Sequence, residues 1–126
     1  MRADPSAIIP KKEKLMQRIV QTLELVDTPE AIAEYCRIHE NIWPEIADGI
    51  KSVGIDRMDI YLYGNTAVMI VETADSTDFD AAMSRLATLP RQAEWEEFVG
   101  KYQKCEPGST SAGKWKRMSR IFELPS

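Results

Sequence analysis

The segment Tyr35-Cys36-Arg37-Ile38-His39 sets a phenol four residues before the only histidine of the chain. On a helix, positions i and i+4 share a face, with Cβ atoms roughly 6 Å apart. Histidine ordinarily titrates near about pH 6.5, so a lone imidazole beside a phenol is a candidate proton-transfer pair. Such a pair moves a proton onto one oxygen and off another by general acid-base catalysis, without a metal. Trp43 and Trp95 offer flat apolar walls of the kind that stack on sugar rings, and Glu45, Glu94 and Glu96 offer carboxylates that orient hydroxyls. Richer chemistries lack their residues: there is no second histidine for a zinc centre, no glycine-rich phosphate loop and no nucleophile elbow. On spacing alone each candidate also has a plainer reading. A histidine on the inner edge of an amphipathic helix is more often packed core than catalyst, and Trp95 belongs to a stripe with Phe98 and Tyr102. Trp43-Pro44 also suits the turn from one helix to the next.

The elements that must position these groups follow from periodicity. Gln17 to Val26 alternates, with Ile19, Leu23 and Leu25 on one face and Arg18, Thr22 and Glu24 on the other, which predicts a first strand. Thr28-Pro29-Glu30 reads as a helix start, with Thr28 as N-cap, and the helix is expected to run to about Asn41. After Pro44 a second short helix should carry Ile46 and Ile50 as far as Gly54. Strands are expected at Ile55 to Tyr63 and Thr66 to Thr73, joined by a Gly64-Asn65 hairpin turn. Thr77 with Asp80 resembles a capping box for a helix bearing Phe79, Met83 and Leu86. Pro90 opens the next helix, which carries Trp95, Phe98, Val99 and Tyr102 to an end near Cys105. A polar loop through Ser109, Thr110, Ser111 and Gly113 then leads to a fourth strand, Trp115 to Leu124. The order is βαββαβ, an α+β, ferredoxin-like plan with a four-stranded antiparallel sheet covered by helices on one face. The bare face and the sheet edges call for cover, which predicts a homodimer.

The 126 residues fit one domain, 17–126, behind a flexible tail, 1–16. A net charge of -4 argues against nucleic acid as a partner, and no apolar run nears the roughly 20 residues of a membrane span. With no secretion signal the expected location is cytoplasmic. Cys36 and Cys105 are too few for a disulfide framework and read as reduced, packed thiols.

With these residues in hand, the chain resembles the L-rhamnose mutarotase family. The resemblance rests on Tyr35-x-x-x-His39 followed by Ile42-Trp43-Pro44-Glu45. It continues through Gly54, Ile60-Tyr61-Leu62, Trp95, Pro107 and Phe122-Glu123-Leu124-Pro125, covering about Gln17 to Pro125. It implies a dimeric α/β barrel enzyme without metal or cofactor, interconverting the α and β anomers of a 6-deoxy-L-hexose. His39 would be its proton donor, Tyr35 its partner and Trp95 a wall facing the sugar, with Trp43 a further contact. Two positions depart from the family's pattern: Glu96 stands where a second tryptophan is usual, and Met58 where a strand tyrosine is. These two substrate-binding positions leave L-rhamnose and L-fucose both open. Two other readings fit the same scaffold, a haem-degrading or cofactor-free monooxygenase and a non-catalytic sugar-sensing dimer.

Overall fold

The computed structural model describes residues 15–126. The expected tail, 1–16, lies outside the described residues except for its last two, and Met16 already opens a strand. Strand β1 spans Met16–Glu24, β2 Ile55–Tyr63, β3 Thr66–Ala74 and β4 only Lys116–Arg117. All pairings are antiparallel, in the order β2-β3-β1-β4. Helices α1 (Pro29–Ile38), α2 (Pro44–Ser52), α3 (Phe79–Leu86), α4 (Gln92–Gly100) and α5 (Ser111–Lys114) complete the described chain. The ferredoxin-like α+β plan is therefore as expected.

Local chemistry explains most boundaries. The Thr28 hydroxyl accepts from the Ala31 N–H at 3.1 Å, and Pro29 fills the first helical position where no donor is missed. Helix α1 stops at Ile38 rather than Asn41, with His39 as its C-cap. The chain must reach an extended backbone before Pro44, and Trp43 supplies it with φ -63 and ψ 137. Gly54 follows α2 at φ +101, a conformation costly to any residue with a Cβ.

Six expectations need correction. The cap of α3 is Asp78, whose carboxylate accepts from the Ala81 N–H at 3.0 Å, not the Thr77-Asp80 box. Pro90 does not open α4; Arg91 precedes it at φ 65, and α4 ends at Gly100 instead of running to Cys105. The following residues turn back to β1, with Val26 N–H bonded to the Tyr102 carbonyl and Gln103 bridged to Leu25. The polar loop contains α5, capped by Thr110. The last strand is only two residues long, with Lys116 and Arg117 opposite Thr22 and Gln21, and the Met118 N–H bonds the Val20 carbonyl at 2.8 Å just beyond it. Beyond it Ile121, Phe122 and Leu124 are 96%, 69% and 78% exposed. Cys36, expected to be packed, is exposed on α1, while Cys105 is half-buried; both are free thiols.

The inner face of the sheet builds two apolar clusters. Ile19, Leu23, Ala67, Met69 and Val71 pack with Phe79, Ala82, Met83, Leu86 and Trp115. Leu25, Tyr35, Ile38, Ile46, Trp95 and Val99 form the second, and Ile50 touches both. No helix of the described residues is long and apolar enough to cross a membrane.

Candidate active site

The two clusters meet at a cavity of about 80 Å³. Its walls include Tyr35 and His39 from α1, Met58 and Ile60 from β2, and Trp95 and Glu96 from α4. Five of the eight residues singled out in the sequence thus come together, from three separate elements, while Glu45 and Glu94 lie outside the cavity and pair with Arg91. Trp43 does not line the cavity. It stands behind Trp95, ring centroids 5.1 Å apart and edge-on, stacks on Phe98 at 5.4 Å, and carries the Arg91 guanidinium 4.1 Å over its ring. Its contribution here is to fix the Trp95 indole.

His39 is pinned by its own helix. Its Nδ1 lies 2.8 Å from the Tyr35 carbonyl oxygen, which only accepts, so Nδ1 carries the hydrogen and Nε2 is the free lone pair. Burial holds the imidazole pKa below its ordinary value, outweighing the opposing bond to the Tyr35 carbonyl. The ring packs 4.4 Å from the Tyr35 ring and 5.7 Å, edge-on, from Trp95. The neutral imidazole is therefore a base at neutral pH.

Tyr35 is the opposite case. Its phenol is buried, and burial pushes its pKa up to about 12 against the lowering effect of the Gln103 carboxamide. Gln103 Nε2 donates to the phenol oxygen at 3.3 Å, so the phenol keeps its own proton to give elsewhere. Among the described residues Gln103 Oε1 is a buried oxygen without a partner.

A wider groove of about 410 Å³ adjoins the cavity and shares Met83, Leu86, Gln92, Glu96 and Ser111 with it. Glu96 stands at this junction, held on both sides: Lys114 Nζ donates to Oε1 at 2.9 Å and Gln92 Nε2 to Oε2 at 2.7 Å. Sequence reasoning missed Gln92, Gln103 and Lys114. The Gln92-to-Glu96 spacing of four was a visible signal. Nothing local marks Gln103 or Lys114, whose partners lie 68 and 18 residues away. Among the described residues, no three His, Cys, Asp or Glu side chains converge as metal ligands would.

Comparison with known proteins gives a consistent picture. The sequence profile of the L-rhamnose mutarotase family matches residues 18–124. An L-fucose mutarotase of Xanthomonas campestris pv. campestris is 35% identical over 111 residues, covering 86% of this chain and 89% of that protein. An L-rhamnose mutarotase of Acidiphilium cryptum is 27% identical over 117 residues, covering 87% of this chain and 100% of its own length. The crystal structure of L-rhamnose mutarotase from Formosa agariphila superposes with a TM-score of 0.66 at 17% identity, over 86% of this chain and 99% of that one. That last likeness concerns the fold.

Proposed function

The chain belongs to the L-rhamnose mutarotase family, and from that premise we propose that it interconverts the α and β anomers of a 6-deoxy-L-hexose by acid-base ring opening. One observation carries the proposal: a neutral imidazole with a free Nε2 and a phenol that keeps its proton line the same cavity. His39 Nε2 removes the anomeric hydroxyl proton, the C1=O bond forms as the bond from C1 to the ring oxygen breaks, and Tyr35 protonates that oxygen. The open aldehyde turns about its bond to C2. On closure the phenolate takes back the proton of the attacking hydroxyl while the imidazolium protonates the carbonyl oxygen, so His39 is a base in one half and a donor in the other. Trp95 faces the sugar ring, and Met58 replaces a polar contact by an apolar one. No covalent intermediate is required, and no cofactor enters these steps.

The proposal extends to a homodimer that completes a dimeric α/β barrel. Support comes from the outer sheet face, where Val20, Val68 and Ile70 lie only half-covered beside the exposed Tyr61. The exposed apolar tail, Ile121, Phe122 and Leu124, adds to it. A cytoplasmic location belongs to the same reading, and cell fractionation tests it. The activity is tested by magnetisation exchange between the anomeric protons of L-rhamnose and of L-fucose in NMR. Enzyme-dependent exchange with at least one sugar, lost in His39→Ala, is expected. Exchange no faster than in buffer for both sugars, or an unchanged rate in His39→Ala, would overturn it.

A further inference from the structure

Among the described residues Lys114 is the only buried lysine, arginine, aspartate or glutamate, and its side chain is 1% exposed. It reaches from α5 to α4, where its ammonium donates to the Glu96 carboxylate at 2.9 Å and to the Glu96 backbone carbonyl at 2.7 Å. A buried ion pair is weak as a source of stability, because desolvation of both charges offsets their attraction. Its effect is to fix a group in place. Here the fixed group is a carboxylate at the junction of the inner cavity and the outer groove.

The carboxylate has two oxygens and about four acceptor positions. Lys114 uses one on Oε1 and Gln92 one on Oε2, which leaves each oxygen able to accept once more. A held carboxylate with one acceptance left on each oxygen is matched by two neighbouring hydroxyls on the same face of a sugar ring. The place of Glu96 decides which hydroxyls these are. His39 and Tyr35 border the inner cavity alone, whereas Glu96 also borders the groove, so with the anomeric carbon at His39 the far carbons of the ring face Glu96. At C3 and C4, L-fucose carries a cis pair of hydroxyls. L-Rhamnose has its cis pair at C2 and C3, and its C3 and C4 hydroxyls point to opposite faces.

We propose that Lys114 and Gln92 are positioning residues that hold Glu96 as a two-oxygen acceptor for a cis-3,4-diol, which makes L-fucose the preferred substrate over L-rhamnose. The inference rests on the mutarotase reading and names its specificity. Its test is anomer exchange measured for both sugars on the full chain, wild type against Glu96→Gln and against the paired Glu96→Gln/Lys114→Met. Glu96→Gln keeps the shape and an oxygen for Lys114 but leaves its ammonium without a counter-charge, whereas the paired variant leaves no charge buried alone, so the paired variant separates loss of the preference from loss of the fold.

Wild type is expected to favour L-fucose by about 10-fold or more in kcat/KM, the size of one or two hydrogen bonds to a charged acceptor. Both variants are expected to lose that preference through a raised KM for L-fucose, with kcat little changed, and Lys114→Arg to retain part of it. A merely structural role for the ion pair would lower the melting temperature and leave the ratio between the sugars intact. Wild-type preference for L-rhamnose, or a preference kept by both variants, would overturn this inference alone. Exchange with neither sugar would overturn the proposed function, and this inference with it.

Discussion

At the C-cap of α1, His39 feels two opposed influences. The carboxyl end of a helix favours a cation, while removal from water disfavours one, and here burial prevails. A base form that persists to lower pH gives kcat/KM an acidic limb that falls only below about pH 6.5, the ordinary histidine value. The same shift bears on folding. In the unfolded chain His39 takes up a proton near its ordinary pKa, whereas the folded chain takes it up only at lower pH. The folded state is therefore fully favoured by this group above about pH 6.5, and that contribution is lost as pH falls through the folded pKa. Urea melts at a series of pH values should show the slope, and His39→Ala should flatten that part of it. At Tyr35 the phenol oxygen is the acceptor for Gln103, whose other amide atom already lacks a partner. Tyr35→Phe should cost about 1 to 3 kcal/mol in denaturant melts, by stranding a buried donor, as well as slowing anomer exchange.

At the scale of elements, caps separate what the residues reveal from what tertiary contacts decide. The start of α3 has two candidate caps, and only Asp78 bonds the helix backbone. Asp78→Ala should cost about 1 kcal/mol and Thr77→Ala distinctly less, as read from urea midpoints. The cap Thr28-Pro29, the Gly64-Asn65 turn and the alternation of β1 were legible because each is a local preference set by neighbouring residues. So was the pairing of Tyr35 with His39, which needs only one helical turn. The left-handed Arg91 was hidden, since its backbone is held where its side chain reaches Trp43, Glu45 and Glu94. The brevity of β4 was hidden too, for alternation from Trp115 to Leu124 is compatible with a strand but does not supply a neighbour to pair with. Nothing in the residues beside Lys114 marks its partner, and only the approach of α5 to α4 makes it part of the site.

For the whole molecule, the exposed residues after β4 and the half-covered outer face of the sheet give the homodimer a specific test. Truncation after Arg120 removes Ile121, Phe122 and Leu124 while sparing every wall of the cavity. Light scattering at micromolar concentration should report a dimer for the full chain and a shift towards monomer for the truncated one, with slower anomer exchange. A monomeric mass for the full chain would count against the dimer. The two apolar clusters, joined through Ile50 and otherwise meeting at the cavity, have a consequence for the protection of backbone amides. Clusters that share few contacts open separately, so amides of α1 and α4 should exchange with deuterium by a lower-energy opening than those of β1 and β3. A sugar held between His39 and Glu96 touches both clusters at once. Saturating sugar should therefore draw the two sets of exchange rates together, turning two opening units into one.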